Sequence, residues 1–137
     1  MSDGLAEARR LCAFVALVAD APAPPRTELH WRLHGAIEQA AARAGIDFLA
    51  VHLQMLGDGA LVVFPAGVNE PRAFAALVKV FRGGLPAEGQ VPVRIRLAAA
   101  VGLPEAATIE VARLAESPSA HPGAVLDVVL GREGIGA

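Results

Sequence analysis

Apolar residues recur along this chain with two different periods. Residues 11–19 (LCAFVALVA) form an unbroken apolar run, which predicts a β-strand covered on both faces. Across residues 27–44 the apolar positions return every three or four residues, which predicts an amphipathic helix capped by Thr27 and ended by Gly45. The segment 21–26 between these elements holds three prolines, so we expect an extended connector there.

A β-hairpin with an acidic residue at its tip is predicted next. The apolar runs 48–55 and 60–64 flank the turn sequence Gly57-Asp58-Gly59. Two glycines allow positive φ in the turn, and the flanking residues favour strands. We therefore expect Asp58 to be displayed to solvent, where its carboxylate is a candidate metal or polar ligand. Asp-Gly is also ordinary turn chemistry, which is the alternative interpretation.

The second half of the chain continues the alternation of helices and strands. Helical spacing predicts helices over 72–81 and 108–115, and period-two alternation predicts a strand over 93–101 that is half exposed at its start. A last apolar run predicts a strand over 124–130. The order β-α-β-β-α-β, followed by α-β, predicts an α+β fold with a ferredoxin-like core, in which the helices cover one face of the sheet.

Length and composition indicate one domain. The chain has 137 residues, which predicts a single domain over 11–130, with an N-terminal extension at 1–10 and a flexible tail at 131–137. Hydrophobic residues make up 54% of the chain and aromatic residues only 4%. The core is therefore expected to consist mainly of alanine, valine and leucine.

Charge and cysteine content exclude several classes of function. The net charge is −2 and no basic stripe runs along any predicted element, which argues against nucleic-acid and membrane-surface binding. No apolar run is long enough to span a bilayer, and the charged N-terminus argues against a secretory signal. The single cysteine, Cys12, cannot form an internal disulfide. These features predict a cytoplasmic location.

Three short motifs together carry a resemblance to a known family. GDGALVVF at 57–64, RIRLAAAVG at 94–102 and VARLAESP at 111–118 resemble parts of the class III adenylate/guanylate cyclase homology domain, and most closely a divergent bacterial branch of it. The resemblance covers 11–130 and implies a nucleotide-cyclase-like fold. It also implies a homodimer, or a heterodimer with another cyclase-like chain, paired so that the active site lies between the two domains.

The resemblance assigns candidate site residues, and the chain departs from the family at several of them. In active members two aspartates hold Mg²⁺ or Mn²⁺; the matching residues here are Asp58 and Asp20, but Asp20 comes one or two positions late. The family's phosphate-binding loop corresponds to 21–25, where three of five residues are prolines without an N–H. Arg113 stands at the position of the family's catalytic arginine, whereas Ile109 replaces its asparagine.

These departures favour a degenerate active site. Ala100 stands where the family has a histidine, and only six residues separate Gly102 from Ile109, so the family's dimerisation arm is shortened or absent. We therefore expect a non-catalytic signalling domain that binds a partner protein or a nucleotide and needs no cofactor. The alternatives are an active cyclase that makes a cyclic nucleotide from ATP or GTP, and a metal-independent small-molecule sensor.

Two further sets of residues have both a functional and a structural interpretation. His30, His34 and Glu38 are spaced to share one helix face and could ligate a metal; the preferred interpretation is a solvated helix face.

Trp31, Arg94 and Arg96 are candidate interface residues. Trp31 could instead pack under the proline-rich connector. The two arginines could meet an anionic ligand, but pairing with a carboxylate of a neighbouring strand is preferred.

Overall fold

A computed structural model describes residues 8–17, 25–82, 94–116 and 126–131. These residues form a mixed α/β structure, with three helices and a five-stranded mixed sheet. In chain order the elements are β1 (Arg10–Leu17), α1 (Arg26–Arg43), a short 3-10 helix (Phe48–Ala50), β2 (His52–Leu56), β3 (Gly59–Val63), α2 (Glu70–Phe81), β4 (Ile95–Gly102), α3 (Pro104–Ala115) and β5 (Leu126–Leu130).

The sheet has the strand order β2-β3-β1-β4-β5. The pairs β2/β3, β3/β1 and β1/β4 are antiparallel, whereas β4 and β5 are parallel. β1 is the central strand. Its register places Ala16 opposite Gly59 of β3 on one side and opposite Arg96 of β4 on the other. The tip of the β2–β3 hairpin and the start of β4 therefore lie at the same end of the sheet.

Side chains of β1 alternate between two hydrophobic clusters. Leu11, Ala13 and Val15 belong to the larger cluster with α1 and α2, whereas Cys12 and Phe14 belong to a smaller cluster with α3. The helices therefore cover both faces of the sheet, and the prediction that they lie on one face is wrong. The continuous apolar run of β1 is explained by this arrangement, since a strand packed on both faces has no polar side.

β4 is buried along its length, and the predicted exposure at its start is wrong for Arg96. Residues 95–101 are all buried, with Arg96 only 7% exposed, whereas Arg94, which precedes the strand, is partly buried. The alternation of apolar residues with arginines at 94–97 is typical of a strand with one solvent-exposed face. The polar position is instead enclosed by α3 and β5, as described below.

Two helices begin earlier than the periodicity predicts. α2 starts at Glu70 rather than at residue 72, and the Asn69 side chain caps it by accepting a hydrogen bond from the Arg72 backbone N–H at 3.1 Å. α3 starts at Pro104 rather than at residue 108. Proline fits the first turn of a helix because the N–H that it lacks has no helical partner there.

The ends of α1 and the start of the hairpin also differ from the prediction. Pro25, not Thr27, occupies the N-cap of α1, and no side chain caps it; Gly45, with φ +73°, follows the helix as expected. The apolar run 48–55 does not begin as a strand. Asp47 accepts a hydrogen bond from the Leu49 N–H at 3.0 Å and so caps the 3-10 helix before β2.

Several predictions fall on residues outside the described ranges. These are Asp20, most of the connector 21–26, the start of the last strand at 124–125 and the tail beyond Gly131. None of the helices within the described ranges is long and apolar enough to cross a bilayer.

Candidate functional site

The hairpin tip is a two-residue turn that displays Asp58. Leu56 pairs with Gly59, so Gly57 and Asp58 alone connect β2 to β3. Gly57 has φ +56°, the left-handed value that a type II′ turn requires at its first position. The Asp58 side chain is 68% exposed, which confirms that it is displayed rather than buried.

The second glycine has a different role from the predicted one. Gly59 does not have positive φ. A Cβ at this position would lie 2.6 Å from the carbonyl oxygen of Val15 and 2.7 Å from the Phe14 ring. Gly59 is therefore needed for the close approach of β3 to β1, and only Gly57 is needed for the turn.

Three contacts join the hairpin tip to α1 and β1. His30 Nε2 lies 2.8 Å from the carbonyl oxygen of Gly57. Arg26 Nη2 lies 3.8 Å from Asp58 Oδ1. The Leu17 N–H donates a hydrogen bond to the Asp58 carbonyl oxygen at 3.3 Å. The backbone of the tip is thus tied to neighbouring elements while the Asp58 carboxylate remains accessible.

The charge pair at the tip is exposed. Both side chains of the Arg26–Asp58 pair are 68% exposed, and such pairs contribute less than about 1 kcal/mol. A cation could therefore compete for the carboxylate. The second aspartate that the family resemblance assigns, Asp20, lies outside the described residues, three positions beyond Leu17. Within the described part of the chain no three histidine, cysteine or acidic side chains are grouped to hold a metal ion.

The last turn of α3 lies over the same end of the sheet. Arg96, at this end of β4, donates to the carbonyl oxygens of Ala115 at 3.2 Å and of Leu114 at 3.5 Å. Arg113, in the same turn, is 67% exposed and lies 3.9 Å from Glu110. Ile109 is 65% exposed. The structure thus brings Arg113 to the end of the sheet that holds Asp58, and within the described ranges no ion pair joins the two side chains.

A buried ion pair supports this end of the sheet. Arg96 Nη2 and Nε donate to Asp127 Oδ2 at 2.8 and 3.1 Å, and the two side chains are 8% and 2% exposed. The residues are direct register partners on β4 and β5. The preferred interpretation of Arg96, pairing with a carboxylate of a neighbouring strand, is confirmed. Sequence reasoning did not identify Asp127, because the pairing partner of a strand is not encoded locally.

The two histidines of α1 contact different parts of the chain. His30 contacts the hairpin tip, whereas His34 packs edge-on against the Phe48 ring, with 5.1 Å between ring centroids. Glu38, one turn further, is exposed. Neighbouring Trp31 is 73% exposed.

Cys12 is enclosed between the sheet and α3. Its side chain is fully buried, and burial raises the pKa of the thiol from 9.0 to about 11, although the nearby Arg10 charge acts in the opposite direction. A thiol with so high a pKa is a poor nucleophile near neutral pH. Its described surroundings are those of a core residue.

Comparison of the chain with models of known protein families found no match, and comparison with curated protein sequences found none either.

Proposed function

We propose that this chain is a non-catalytic, cyclase-like signalling domain that acts by binding a partner protein or a nucleotide. In this proposal the chain pairs with a second cyclase-like chain, as a homodimer or a heterodimer, and Asp58 belongs to a site that has lost its catalytic set. The proposal combines the sequence resemblance with the geometry at the hairpin end of the sheet.

The fold part of the proposal is a ferredoxin-like core with an appended αβ unit. Its support is the strand order β2-β3-β1-β4 with every neighbour antiparallel, and the packing of α1 and α2 together on one face. α3 and β5 are then the appended pair. Only Leu103 lies between the end of β4 and the start of α3, which leaves no room for a protruding arm at this connection.

The observation that carries the functional part is the state of the side chains around Asp58. The hairpin tip, the end of β1 and the last turn of α3 lie at one end of the sheet. Yet Asp58 faces Arg26 and Arg113 faces Glu110. The exposed Ile109 has no polar atom with which to hydrogen-bond a ribose. Phosphoryl transfer depends on positioned metals and charges, and this set lacks the polar group at 109.

Calorimetric titration with ATP and with GTP, each with and without Mn²⁺, tests the proposal together with an assay for cyclic nucleotide. We expect no cyclic product, and any nucleotide binding should be independent of Mn²⁺. Asp58→Asn removes the displayed carboxylate. Asp47→Asn is the matched control, because asparagine caps a helix as well as aspartate does.

The alternatives give different results in the same experiment. Mn²⁺-dependent product that Asp58→Asn abolishes and Asp47→Asn preserves would overturn the proposal and establish a cyclase. Metal-independent sensing of another small molecule would appear as thermal stabilisation, because a ligand at 100 times its Kd adds about 2.7 kcal/mol.

A further inference from the structure

We draw no further inference here: the strongest candidate, the edge strand β2 with its exposed side chains His52, Gln54 and Leu56, pairs only with β3 among the described strands, and nothing in the structure shows what covers its outer side.

Discussion

Removal of the Asp127 charge should destabilise the fold strongly. Asp127→Asn keeps the size of the side chain but leaves Arg96 without its buried counter-charge, and arginine cannot lose its proton in a protein. The side chains are 8% and 2% exposed, so water cannot replace the carboxylate. Breaking such a buried pair costs about 3–5 kcal/mol. Since a small domain has roughly 5–15 kcal/mol in total, the loss is a large fraction of its stability.

Urea denaturation followed by circular dichroism measures this loss. The control is Glu28→Gln, which removes the more exposed ion pair between Arg32 and Glu28 on α1. We expect this change to lower the free energy of unfolding by about 0.5 kcal/mol or less. The double variant Arg96→Met/Asp127→Leu removes both charges and should be more stable than Asp127→Asn alone. An Asp127→Asn variant no less stable than Glu28→Gln would refute the reasoning.

Three further predictions concern single positions. The folded-state pKa of Cys12 is raised from 9.0 to about 11, so the protonated thiol favours the folded state. This contribution to the free energy of unfolding is complete below pH 9 and is lost as pH rises to 11. Denaturant titrations at pH 8 and pH 10 give the free energy of unfolding of each protein at both pH values. Between pH 8 and pH 10 this free energy should fall by about 1.4 kcal/mol more in the wild type than in Cys12→Ala. Gly59→Ala should cost about 1–3 kcal/mol because of the backbone clash with β1, whereas Gly35→Ala, on open helix surface, should add about 0.5–1 kcal/mol; thermal melts distinguish them. His30→Ala should cost about 1 kcal/mol and speed hydrogen exchange of the Leu17 amide, which donates to the Asp58 carbonyl oxygen; unchanged exchange would show that the His30 contact does not hold the hairpin tip in place.

Periodicity in the sequence identified the order and type of the helices and strands. β1 and the α1 core face could be predicted because an unbroken apolar run and a three-to-four spacing are both local signals. The apolar spacing did not reveal the starts of α2 and α3, where Pro71 and Pro104 stand in the first turn. At the first or second helical position a proline starts a helix instead of breaking it.

Only those features of the candidate site that depend on neighbouring residues in the sequence could be predicted. The exposure of Asp58 follows from the turn sequence, and the structure confirms it. Arg96 and its partner Asp127 are thirty-one residues apart in the sequence. They meet only because β4 pairs in parallel with β5 and α3 packs over this end of the sheet. The placement of α3 on the opposite face from α1 and α2 is equally non-local. No pattern within α3 itself distinguishes the two faces of a sheet whose central strand, β1, is apolar on both.

The pairing of charges at the hairpin end of the sheet favours a partner protein over a nucleotide within the proposed function. Three of the arginines described at this end each lie beside a carboxylate: Arg26 with Asp58, Arg96 with Asp127, and Arg113 with Glu110. These three pairs contribute no net positive charge with which to attract a triphosphate. A protein surface of mixed polarity does not require one. We therefore expect no heat of ATP binding even at low ionic strength, where screening is weakest and a cationic site would bind most tightly.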